Sequence, residues 1–301
     1  TTKYYLDARK YYDFFKDLLD PHLVNAAFIY DRRKCRLLEA IYRQYLAIGC
    51  ELDVPLLIST PTWRASRGRI AAAGLSETDI NGDNVRFFDA LRKRYGEYSE
   101  KVIICGLMSC HGDAYQPAEA LTADDAYAFH AWQAGKLAEA GVDFLLASTL
   151  PALSEAIGLA RAFAATGQPY IISFVVRPEG TLLDDTSLND AITAIDEAVF
   201  PQPLGYMINC THASFAKSAL LHNDNSSHYV RQRMIGLLAN TAARSPEDLN
   251  ESTCLVEEEP ESFGKQVAEL HHELGLKILG GCCGTDDRHI RSLATHLKSS
   301  N

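Results

Sequence analysis

The chain has 301 residues, 47% of them hydrophobic and 23% charged, the balance of a soluble globular protein with a large core. With 39 acidic against 29 basic residues its net charge is -10, which excludes nucleic acid as a partner because phosphate binding needs a basic face. No apolar run nears the ~18 residues that cross a bilayer, and Thr1–Tyr5 lack the apolar stretch of a signal peptide. A cytoplasmic protein without membrane contact is expected.

Short apolar runs alternate with helix-period segments along the whole chain. The first expected strand is Tyr4–Asp7, with His22–Tyr30 competing for that role. A helical stripe follows at Leu38, Ile41, Tyr42 and Tyr45, then strands at Val54–Ser59 and Val102–Met108. Thr122–Asp125 reads as a helix start, with Ala134, Leu137, Ala138 and Gly141 as its apolar stripe. Strands at Phe144–Ser148 and Tyr170–Val176 precede a second helix start at Ser187–Asp190. The last strands are Tyr206–Asn209, Ile235–Ala239 and Lys277–Leu279. Phe263, Val267, Leu270 and Leu274 line one late helix; Ile290, Leu293, Ala294 and Leu297 line the last, with Thr285 expected to cap it. Continuous apolar strands suit a parallel sheet buried on both faces. Eight of them alternating with helices, without a linker, predict an α/β protein: a single (β/α)₈ TIM barrel over residues 1–301. A doubly wound sheet is the alternative, since alternation alone does not close a barrel.

The eight cysteines stand at 35, 50, 105, 110, 210, 254, 282 and 283. In a reducing compartment they are expected as thiols, so a cluster of them points to metal or catalysis. Cys35, Cys50 and Cys105 have apolar neighbours and read as core residues. A barrel carries its chemistry at the carboxyl ends of its strands. Read there, the chain offers Asp7, Thr60, Thr62, Arg64, Ser109, Cys110, His111, Ser148, Thr149, Arg177, Asn209, Cys210, His212, Asn240, Cys282 and Cys283. The sharpest signal is Gly280-Gly281-Cys282-Cys283-Gly284-Thr285. Its glycines let the backbone turn off a strand so that adjacent cysteines can face one metal. Cys210 ends a strand two βα units earlier and can bring a third sulfur to the same mouth. A buried pair, a disulfide, and a closed structural zinc completed by Cys110, His111 or His212 are the other readings. His289 is assigned to the start of the last helix rather than to a metal.

Ile208-Asn209-Cys210 followed by Gly280–Thr285 resembles the homocysteine S-methyltransferase family from about Ala40 onward. The resemblance implies a (β/α)₈ barrel in which Cys210, Cys282 and Cys283 bind Zn²⁺. It also implies transfer of a methyl group to a zinc-activated thiol, homocysteine or a related one, as in methionine biosynthesis. The implied partners are a small-molecule thiol and a methyl donor; a homo-oligomer and a separate corrinoid protein are left open. A non-catalytic zinc or thiol carrier shares the same motif.

The amino-acid end of the family site is altered. Asp7-Ala8-Arg9 stands where the family has Asp-Gly-Gly, and Ser148-Thr149 where it has Glu-Thr, whose carboxylate holds an ammonium group. Arg64 stands near a family tyrosine that can complete the zinc shell. Arg64 and Arg177 are instead candidates to clamp a carboxylate. Thr60, Asn209 and Asn240 complete the expected substrate contacts.

Overall fold

The computed structural model describes residues 18–245, 248 and 258–299. The expected first strand, Tyr4–Asp7, and with it Asp7, lies outside the described residues. The other seven expected strands are all present: β1 Leu56–Ser59, β2 Val102–Ser109, β3 Phe144–Leu150, β4 Tyr170–Phe174, β5 Gly205–His212, β6 Met234–Asn240 and β7 Ile278–Gly281. They form one parallel sheet in sequence order. A doubly wound sheet reverses its strand order at a switch point. This one does not, so that alternative is excluded.

Ten α-helices are described: α1 Arg32–Leu52, α2 Arg67–Ala72, α3 Ile80–Lys93, α4 Ala123–Glu139, α5 Leu153–Ala164, α6 Leu188–Ala198, α7 Ala213–Leu221, α8 His228–Arg233, α9 Pro260–Leu274 and α10 Asp287–Ser299. The helix starts follow local chemistry. Thr122 accepts from the Asp125 N–H and Ser187 from the Asp190 N–H, as their patterns predict. For α10 the expectation needs correcting. Asp286, not Thr285, receives the Arg288 N–H at 3.0 Å, while the Thr285 hydroxyl turns back to the Cys282 carbonyl.

His22–Tyr30 forms no strand. The Asp20 carboxylate accepts the His22 and Leu23 N–H groups, both at 2.8 Å, and a 3₁₀ helix runs over Ala26–Tyr30. Ala26 and Phe28 are its buried side chains, and Leu23 is buried just before it. Cys105 is buried as expected, but Cys50 is exposed and Cys35 only half-buried. Both lie on α1, whose buried face carries Leu38, Tyr42, Tyr45 and Leu46 instead.

The sheet curls, and the helices that flank its two edges meet. Arg291 of α10 grips Glu51 of α1 through two bonds of 2.8 and 2.9 Å, and Ile290 packs in the cluster of Leu38 and Tyr42. β1 and β7 are the two edges of the sheet among the described residues. One large apolar layer lies between strands and helices. A second fills the inside of the curl with Leu107, Leu146, Ile171, Met207 and Leu238, and it reaches Cys210 and Cys282 at the top. Side chains of alternating direction thus feed two cores, which is why these strands are apolar throughout.

A polar knot closes the opposite end. Asp196 of α6 accepts both Arg233 bonds at 2.7 Å, the Tyr206 hydroxyl at 2.9 Å and the Tyr229 hydroxyl at 2.5 Å. Burial and then Asp196 hold the Tyr206 hydroxyl protonated far above its usual range.

Candidate metal and thiol site

Three sulfurs from two distant stretches of chain meet where the strands end. The Sγ atoms of Cys210, Cys282 and Cys283 all lie within 4.8 Å of one another. Cys210 and Cys282 are buried, and Cys283 is partly open.

The backbone is shaped to bring them there. The β5–β6 register slips between Asn209 and Thr211, and Cys210 sits at φ 54. A bulge with left-handed backbone re-aims a side chain that a regular strand would point elsewhere, at a cost the surroundings must hold. Asn209 supplies the restraint. Its Oδ1 accepts from Thr149 N at 2.8 Å and Ser173 Oγ at 2.6 Å, while its Nδ2 donates to Thr149 Oγ1 at 2.9 Å. One side chain therefore ties β5 to the ends of β3 and β4. Thr149, itself at φ 63, is a second bulged residue, and Ser148 lies buried beside it with their hydroxyls 3.1 Å apart.

The β7 turn is held by β6. Cys282 N donates to Ala239 O at 2.6 Å, Cys283 N to Asn240 Oδ1 at 2.9 Å, and Thr241 N to Cys283 O at 3.1 Å. The glycines are required by this close approach. A Cβ on Gly284, whose φ is +86, would meet Thr241 Oγ1 at 1.9 Å; one on Gly281 would meet Thr285 Oγ1 at 2.1 Å. Asn240 Nδ2 is buried beside the motif without a partner among the described residues.

The donor set fits a soft divalent cation. Burial, then contact with Cys210 and Cys283, pushes the Cys282 thiol well above its ordinary value. Cys210 is raised too: its bond with Cys282 favours the thiolate, but Cys283 and burial outweigh it. Neighbouring buried sulfurs cannot share several negative charges alone, and a cation removes that conflict. Thiolate-only sets select zinc among the common divalent ions.

The other sequence candidates lie around this centre with different partners. Cys110 Sγ turns to Gly112 O at 3.5 Å, and burial pushes its thiol up to about 11. The His111 ring stacks edge-on against Phe129. His212 caps α7 through Ser214 and faces Glu258 across 3.4 Å. His289 bonds Asp286 and Glu258 O at the start of α10, as its sequence position predicts. Among the described residues, none of these joins the sulfur group. The Thr60 hydroxyl ties Thr62 at 2.7 Å and Leu107 N at 3.1 Å, and so locks β1 to β2. Arg64 Nη1 donates to His111 O at 3.2 Å and Gly112 O at 2.8 Å, and its guanidinium lies 4.7 Å from the centre of the Trp63 ring. Arg177 N closes a turn onto Thr181 O at 2.8 Å.

Two contributors escaped the sequence reading. Glu155, fully buried on α5, accepts the His111 N–H at 2.6 Å and lies 2.9 Å from His130 Nε2, which pins the loop after β2. Arg69, five positions after Arg64, is part-buried, and burial and then the Arg64 charge lower its guanidinium from the ordinary range. Both are contacts made by folding, with no local pattern to mark them.

No helix among the described residues is long and apolar enough to cross a membrane. The family model for homocysteine S-methyltransferase matches residues 6–297. The homocysteine S-methyltransferase YbgG of Bacillus subtilis is 26% identical over 281 residues, covering 87% of this chain and 84% of that protein. The homocysteine S-methyltransferase of Escherichia coli is 24% identical over 276 residues, covering 85% and 83%. The crystal structure of the Escherichia coli homocysteine methyltransferase MmuM, in its metallated form, superposes with a TM-score of 0.69 at 20% identity over 90% of this chain and 87% of that one. That likeness shows a shared fold. The chain belongs to the homocysteine S-methyltransferase family and is a methyltransferase.

Proposed function

We propose that the protein is a zinc-dependent S-methyltransferase whose metal is held by Cys210, Cys282 and Cys283, with homocysteine or a related thiol as acceptor. The observation that carries this reading is the convergence of those three sulfurs, with no further metal-binding side chain among the described residues in their group. Zinc held by these three cysteines would supply the chemistry that keeps a substrate thiol as its thiolate, the reactive form. The chain's own residues hold the three sulfurs in place. Asn209 fixes the bulge that aims Cys210, and Asn240 fixes the Cys283 backbone. In the transfer a bond forms between substrate sulfur and methyl carbon, and the donor leaves with the electron pair of the bond that breaks. A donor that leaves neutral from an onium, or a methyl-cobalt centre on a separate corrinoid protein, meets that requirement.

We read the whole of residues 1–301 as one (β/α)₈ barrel domain in a cytoplasmic setting. We take Asp7, Thr60, Arg64, Ser148, Arg177, Asn209 and Asn240 as candidate substrate contacts. Ser148 sits beside the Asn209–Cys210 corner, which supports its place at the amino-acid end of the acceptor. A serine there carries no negative charge for an ammonium group.

The test is methyl transfer by the zinc-loaded protein from onium and methyl-cobalamin donors to a panel of thiols, read by mass spectrometry. With homocysteine as acceptor, Ser148→Glu is expected to lower KM about tenfold, the worth of one charge-assisted hydrogen bond of ~1.5 kcal/mol. Low KM in the wild type with no gain in the variant would move the amino-acid end away from Ser148. No methyl transfer to any thiol would leave a carrier, not an enzyme acting on this class.

A further inference from the structure

Among the described residues no carboxylate pairs with Arg64 or Arg69. Arg64 donates through Nη1 to the neutral carbonyls of His111 and Gly112. Arg69 donates to His22 O at 3.4 Å. Among the described residues neither guanidinium is in an ion pair, although the chain has ten more acids than bases and most of its other arginines near the core find one. Both are part-buried. Burial, and after it the neighbouring Arg64, hold the Arg69 guanidinium below the ordinary arginine range. A partly desolvated guanidinium is an unfavourable charge until an anion meets it. Ser66, which lies between them in the chain, has a buried hydroxyl with no hydrogen-bond partner among the described residues, although it stands at the N-cap of α2.

The pair is connected to the sulfur centre. The Trp63 ring under the Arg64 guanidinium packs in the inner cluster that contains Cys210, Cys282 and Cys283. Arg64 bonds through Nη1 alone, which leaves the Nε and Nη2 edge of its planar fork to face a carboxylate in the two-bond geometry that guanidinium favours.

We infer that Arg64 and Arg69 bind the carboxylate of the thiol substrate, so that this enzyme accepts thiol carboxylic acids without needing an ammonium group on them. The inference rests on the thiol-site reading above and adds the acceptor's chemical class to it. Arg69 and the Ser66 hydroxyl take the place in this clamp for which the sequence suggests Arg177.

Calorimetric titration of the zinc-loaded protein with γ-mercaptobutyrate, which is homocysteine without its amino group, and with uncharged mercaptobutanol separates the possibilities. The acid is expected to bind at least about tenfold more tightly than the alcohol, from one or more charge-assisted hydrogen bonds. In Arg64→Gln and in Arg69→Gln that preference should fall to about threefold or less, with mercaptobutanol affinity unchanged as proof of an intact fold and thiol site. Sulfate should weaken binding of the acid and leave that of the alcohol alone. Equal binding of acid and alcohol by the wild type, or a preference that survives both substitutions, would overturn the inference and leave the thiol site standing. Sulfate bound at the pair and not displaced by γ-mercaptobutyrate would also overturn it, by showing a site for a free anion. If the wild type binds neither thiol, the thiol-site reading itself falls.

Discussion

Serine in place of Cys282 is expected to strip the protein of its zinc. Cys282 is almost fully buried, and its sulfur lies in one group with those of Cys210 and Cys283. Zinc held by a small set of thiolates is worth roughly 10–16 kcal/mol, so one ligand of three or four accounts for about 3–5 kcal/mol, or a hundred- to several-thousandfold in affinity. A serine hydroxyl stays protonated at neutral pH and replaces little of that. Cys210→Ser and Cys283→Ser should behave alike. Cys50→Ser is the control, because Cys50 is exposed on α1 and belongs to no such group. Metal analysis after dialysis checks all four. Full zinc retention in Cys282→Ser and Cys283→Ser would remove these sulfurs from the site. Methyl transfer should disappear together with the metal.

The second large effect lies at the other end of the curled sheet. Asp196→Asn is expected to cost about 3–5 kcal/mol of stability. The wild-type carboxylate, only 2% exposed, sits between the Arg233 guanidinium and two tyrosine hydroxyls. The amide is nearly isosteric but neutral, and it leaves the Arg233 charge, 18% exposed, without its partner. At roughly 2 °C per kcal/mol for a chain of this size, Tm should fall by about 6–10 °C. Zinc content and thiol affinity of the folded protein should not change, because no residue of this knot touches the sulfur mouth. A drop below ~1 kcal/mol would mean that water or a rearranged neighbour satisfies Arg233. A loss of zinc in the folded variant would show that the two ends are coupled.

Much of the architecture was legible because a strand buried on both faces leaves a plain mark. Runs such as Val102–Met108 and Tyr170–Val176 have no polar alternation to confuse with a surface strand, and β2 and β4 fall within a residue or two of them. His22–Tyr30 shows the limit of that signal. Its apolar residues are equally compatible with a strand, and the Asp20 carboxylate decides otherwise by capping a turn that no periodicity reports. Cys50 was misread for a related reason, since apolar neighbours in sequence lie on other faces of a helix.

The sulfur centre was legible because its chemistry is local. Glycines around an adjacent cysteine pair have few other uses, and the clashes that side chains would make at Gly281 and Gly284 give the physical reason. The supports of the centre were not legible. The bulge at Cys210, the reach of Asn209 across to β3 and β4, and the buried Glu155 all depend on strands brought together by the fold. Arg69 is the same kind of case. Nothing in its own segment says that it will be part-buried without a carboxylate partner among the described residues.

The most direct test of the account is the zinc coordination shell, read by X-ray absorption with and without a thiol substrate. Three protein sulfurs at ~2.3 Å from zinc are expected in the thiol-free protein, rising to four when γ-mercaptobutyrate or homocysteine is added. Four sulfurs before any thiol is present, or three that stay three at saturating thiol, would contradict an open site that activates the acceptor.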